Sequence, residues 1–72
     1  MQNAIKGYAI DVFARGRGCW EQLVLIDSTA CNFAALECMQ VAHAVAKTLI
    51  QDCGISRTEV FVRRVAAGPV LA

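Results

Sequence analysis

The sequence predicts a small α+β domain of ββαβ order, with a three-stranded, mostly antiparallel sheet in the order 2-1-3 packed on one long helix. Three observations carry this reading. Residues 5–14 and 59–66 alternate in the two-residue rhythm of extended chain. The stretch Arg15-Gly16-Arg17-Gly18 separates the first strand from a second β-favouring run. An Ala- and Leu-rich segment follows, opened by oxygen-bearing side chains and closed by a glycine.

In the first strand Tyr8, Ile10, Val12 and Ala14 fall on one side and Ala9, Asp11 and Phe13 on the other. Gly16 and Gly18 accept the positive φ that a hairpin turn demands. They do not form a phosphate-binding loop of the dinucleotide type, which needs a third glycine and a helix directly after it. Here a strand follows, from about Cys19 to Ile26, with Trp20, Leu23, Val24, Leu25 and Ile26.

Asp27, Ser28 and Thr29 can each accept a hydrogen bond from the free amides of a helix's first turn. A single helix is expected from there to Cys53, about 24 residues and roughly 36 Å long, with Gly54 as its stop. Glu59 to Ala66 reads as the third strand, ended by Gly68-Pro69 because proline cannot donate to a sheet ladder. Val70-Leu71-Ala72 is a tail. A right-handed crossover from the second strand to the third leaves the first between them, hence the order 2-1-3.

A chain of 72 residues holds one domain, spanning 1–72, and a core of this size gives marginal stability unless a partner, metal or disulfide supplements it. The composition is 57% hydrophobic and 18% charged, against an average of roughly 45–50% and 25%, so there is apolar surface to place. It is not a membrane span: the best candidate, Thr29 to Ile50, carries Asn32, Glu37, Gln40, His43 and Lys47. Nor does Met1 to Phe13 read as a signal peptide, since Asp11 interrupts the apolar run and no cleavage site follows a basic start. A cytoplasmic location is expected, with Cys19, Cys31, Cys38 and Cys53 reduced.

On a helical wheel Ala34, Ala35, Cys38, Val41, Ala42, Val45 and Leu49 form the stripe expected against the sheet. Leu36, Met39, His43 and Ile50 form an apolar flank beside it. If Tyr8, Ile10, Val12, Val60 and Val62 face the helix, Phe13, Phe61 and Val65 face away, together with either Leu23 and Leu25 or Val24 and Ile26. Apolar area left in water on this scale marks an interaction surface. The candidate interface residues are therefore Phe13, Phe61, Val65, Leu36, Met39, His43 and Ile50, and a homodimer is the simplest occupant.

Chemistry is sparse. His43 is the single histidine, about 140° from Cys38 on the wheel, so the helix builds no Cys–His nucleophile pair. The cysteines form no CxxC pair, and the seven-residue gap from Cys31 to Cys38 does not suit zinc. No catalytic residue, metal or cofactor is expected. Asp11 needs a partner on the face away from the helix; Arg63 is the expected one, with Glu21 a further member. With a net charge of +1 the chain is not an obligatory polyanion binder. Even so, Phe13 and Phe61 with Arg15, Arg17 and Arg63 form the kind of platform on which single-stranded bases stack. Single-stranded nucleic-acid binding is accordingly the alternative function.

The sequence carries no family motif. Its strand, strand, helix, strand layout resembles that of many small proteins of phages and plasmids, including inhibitors of bacterial defence systems. That likeness is one of layout and assigns no residue; it is the unplaced apolar surface that points to a non-enzymatic protein-interaction module, a homodimer and a small inhibitor or adaptor of the kind phages and plasmids carry.

Overall fold

A computed structural model describes residues 5–67; Gly68-Pro69, expected to end the last strand, and the tail after it lie outside the described residues. Strand β1 (Ile5–Ala14) and strand β2 (Cys19–Asp27) form a hairpin. A short helix α1 (Ser28–Cys31) and a longer helix α2 (Ala35–Asp52) follow, then a 3₁₀ turn at Arg57–Glu59 and strand β3 (Val60–Ala66). The sheet is antiparallel throughout, in the expected order β2-β1-β3.

The hairpin closes where the Arg17 and Gly18 amides both donate to the Ala14 carbonyl, at 3.0 and 2.8 Å. Only the second glycine of the loop is left-handed: Gly18 has φ 67°.

The expected single helix is two. The Asp27 carboxylate caps α1 by accepting from the Thr29 and Ala30 amides, at 2.8 and 3.1 Å. One turn later Asn32 adopts φ 56°, and the Asn32 and Phe33 amides turn back onto the Thr29 and Ser28 carbonyls. This double bond with a left-handed residue is a Schellman stop, which asparagine tolerates better than other non-glycine residues. The chain restarts at Ala34, whose amide donates to Glu37 Oε1 at 2.8 Å, half of a capping box. Helix α2 therefore has 18 residues, about 27 Å, and ends at Gly54 with φ 72° as expected. Because the break precedes Ala35, Ala34 and Ala35 are exposed rather than packed on the sheet.

Directly opposed residues on neighbouring strands share a face. One face of the sheet holds Tyr8, Ile10 and Val12 with Val60, Val62, Val24 and Ile26. Its centre, Ile10, is fully buried, as are Cys38 and Ala42 of α2, which places the helix on this side. Ala46 is buried in the same row at four-residue spacing, a core position that the expected stripe omitted. These small side chains let the helix backbone approach the sheet closely. Burial pushes the Cys38 thiol pKa up.

Two irregularities shape the sheet. Ile10 is opposite Val24 but Asp11 is opposite Gln22, so Leu23 is an extra residue in β2, a bulge. A second shift lies between Ile5 and Gly7 against β3. At Gly7 the backbones crowd together: a Cβ there would stand 2.0 Å from the Ile26 carbonyl oxygen. No other residue type fits that position without moving β2.

Candidate interaction site

The other face of the sheet carries Ala9, Asp11 and Phe13 in the middle, Leu25, Gln22 and Trp20 on β2, and Val65, Arg63 and Phe61 on β3. No helix of the described residues covers it. The bulge decides which β2 residues stand here. Without the extra Leu23, strict alternation would put Glu21 or Leu23 beside Leu25; with it, Gln22 and Trp20 share Leu25's face.

At the centre Arg63 grips Asp11 with two bonds, Nε to Oδ2 at 2.8 Å and Nη2 to Oδ1 at 3.3 Å. The same guanidinium donates to Gln22 Oε1 at 3.1 Å. The carboxylate makes it harder for Arg63 to lose its proton. The expected Asp11–Arg63 pair is present, but the third member is Gln22; Glu21 stands on the helix side of the sheet and pairs with Arg17. This correction follows from the bulge.

Around the polar centre lie aromatic rings. Phe13 and Trp20 meet edge to face, with ring centroids 5.6 Å apart and planes at 68°. Trp20 remains 49% exposed, and Phe61, across β1, 56%. Trp20, Asp11, Phe61, Arg63 and the loop residues Arg57 and Thr58 outline an open groove of about 580 Å³.

No family model matches the sequence, and neither a curated protein nor a solved structure matches the chain. The surface has to be read from its own residues.

Of the candidate interface residues, Phe13, Phe61 and Val65 stand on the open sheet face, whereas Leu36, Met39, His43 and Ile50 belong to α2 on the opposite side of the sheet. These are two separate surfaces. On the helix Leu36 is 59% exposed and His43 exposed, while Met39 and Ile50 are half-buried. Trp20 and Gln22 were missed as site residues. The signal for Trp20 was available, because a large aromatic ring on a strand is rarely idle; its face depended on the bulge, which the sequence does not announce.

The arginines of the nucleic-acid alternative are all engaged. Arg15 binds Glu59 through two bonds, at 2.7 and 2.8 Å, and holds that carboxyl below its usual range. Arg17 pairs with Glu21 and Arg63 with Asp11. Among the described residues no group of three or more His, Cys, Asp or Glu is placed to hold a metal ion. Cys19, Cys31 and Cys53 are exposed free thiols. No helix of the described residues is long and apolar enough to cross a membrane.

Proposed function

We propose that this chain is a non-enzymatic protein-interaction module of the cytoplasm, a homodimer that binds a second protein as a small inhibitor or adaptor of the kind phages and plasmids carry. One observation carries the reading. Among the described residues the buried hydrophobic core is Ala9, Ile10, Cys38, Ala42 and Ala46, while Trp20, Leu23, Val24, Leu36 and Phe61 stand in solvent. Apart from Ile10 every fully enclosed side chain is small, while these five large ones are exposed.

Magnitudes support self-association. Fully burying one large apolar side chain is worth about 1.5–3 kcal/mol. Five such side chains, each roughly half exposed, withhold on the order of 5 kcal/mol, comparable with the whole net stability of a small domain. Association recovers part of this. Sedimentation equilibrium from low to high micromolar concentration tests it: a dimer at high micromolar is expected, and a clean monomer throughout refutes it.

Single-stranded nucleic-acid binding is the weaker reading. The rings of Phe13 and Phe61 are on one face, but Arg15, Arg17 and Arg63 would each have to release a carboxylate to reach a phosphate. Oligonucleotide binding that weakens steeply with salt and on loss of these arginines would revive it.

A further inference from the structure

Resting on the reading that the chain binds a second protein, we propose that the groove on the open sheet face takes an extended segment of that partner, apolar and carrying a single carboxylate, with the carboxylate on Arg57 and its apolar neighbours on Trp20 and Phe61.

Charge selects this occupant. The groove is lined by the guanidiniums of Arg57 and Arg63 and by one carboxylate, that of Asp11. Asp11 is spent on Arg63. Arg57 is exposed and has no carboxylate partner among the described residues, so the groove holds one positive charge in surplus. Arg63 also has donors to spare. It reaches Asp11 and Gln22 through Nε and Nη2, which leaves its Nη1 protons without a partner among the described residues. An entering carboxylate can therefore be bound without breaking the Asp11–Arg63 pair.

The surplus also argues against other occupants. A guanidinium fork matches a carboxylate bidentately, and one such group balances one charge. A run of phosphates is less well met, because Arg15 and Arg17 are already paired with Glu59 and Glu21. A second copy of the chain would bring a like surplus to the same face, since identical patches meet across a two-fold axis.

The rings set what flanks the carboxylate. Trp20 and Phe61 line the groove and are each about half exposed. Phe13, against Trp20, stands two residues along β1 from Asp11, and Ala9, with Leu25 opposite it, stands two residues the other way. The face from Phe13 to Ala9 is thus about 13 Å long, the reach of about four extended residues. An open groove does not enclose a small molecule, whereas a peptide segment can cover this length. Tryptophan and arginine are also the residue types in which interfaces concentrate their binding energy.

A displayed library of random linear peptides, selected on the unaltered protein, tests the proposal. Enriched peptides should carry one Asp or Glu among apolar residues. Trp20 is the single tryptophan, so a synthetic, tryptophan-free copy of the best peptide should shift its emission to the blue. Arg57→Gln, or Gln in place of the peptide's acidic residue, should weaken binding about tenfold or more, the scale of a charge-assisted hydrogen bond. Arg57→Glu should recover binding to the peptide whose acidic residue is replaced by Lys. Arg64 is the control: it stands opposite Tyr8 on the helix side and has no carboxylate partner among the described residues. Arg64→Gln removes the same charge and should leave binding unchanged, and circular dichroism should show every variant folded. Peptides that bind but ignore Arg57→Gln overturn the groove assignment while the partner-binding reading stands. A library that yields no binder overturns the proposal and leaves the homodimer to the sedimentation result. Trp20 emission that shifts on dilution of the protein alone would give the face to a second copy, and an oligonucleotide that displaces the peptide would give it to a polyanion; either overturns the proposal.

Discussion

Arg63 on β3 clasps Asp11 on β1 through both carboxylate oxygens, and the pair sits in the middle of a sheet face that no helix of the described residues covers. The Asp11 side chain is only 15% exposed. A largely covered carboxylate with no partner is costly, so the two residues are expected to act as one unit. Asp11→Val or Arg63→Val alone should lower the melting temperature. The double variant should melt above the value obtained by adding the two single losses, because neither charge is then left behind. Strict additivity in a thermal double-mutant cycle would remove the pair from this account.

Gly7 makes the sharpest steric prediction. An added Cβ meets the backbone of Ile26, which cannot swing aside as a side chain would. Gly7→Ala should cost about 1–3 kcal/mol as overpacking, a fall in melting temperature of roughly 4–20 °C for a domain of this size. Gly16 meets nothing within 4 Å and is not in the left-handed region. Gly16→Ala should therefore be neutral, or stabilising by up to about 1 kcal/mol.

The Arg15–Glu59 pair ties the hairpin loop to the start of β3 and is sensitive to acid. Its hydrogen bonds hold the Glu59 carboxyl below its ordinary value of 4.5. A carboxyl depressed on folding adds stability that is complete above the ordinary value and is lost as pH falls through the folded value. The melting temperature of wild type should exceed that of Glu59→Gln by a constant amount from neutral pH to about pH 5. Below pH 4.5 the gap should shrink. A gap that widens on acidification would contradict the pairing.

At the start of α2 a cap is missing. Ala34 occupies the N-cap position with no side-chain oxygen, although Glu37 already supplies the return bond. Ala34→Ser should complete the capping box and stabilise the domain by about 0.5–1 kcal/mol, read by urea denaturation. A destabilising effect would mean that α2 does not begin at Ala35.

What was legible in the sequence follows from where local pattern decides structure. Alternation in β1 and β3 is unambiguous, so Ile10 on the helix side and Phe61 opposite Asp11 follow, and the Asp11–Arg63 pair with them. Gly18 and Gly54 mark their stops because few other residues are comfortable left-handed. The bulge at Leu23 left no such mark: no glycine or proline stands near it and a β-favouring run follows, so only pairing with β1 shows that one residue is extra. That single insertion exchanges Glu21 for Gln22 at the site. The helix break was hidden for a related reason, since the apolar rhythm runs on past Asn32 and its left-handed turn was outweighed by the surrounding alanines. Gly7 was illegible because its need for no side chain comes from β2, distant in sequence.

The central claim is that one copy of this chain cannot shelter its own large apolar side chains. The most direct measurement is the melting temperature as a function of protein concentration. If folding is coupled to association, it should rise steadily from about 1 μM to about 1 mM. A melting temperature that stays constant over that thousandfold range would show that the chain folds alone, and would contradict the claim.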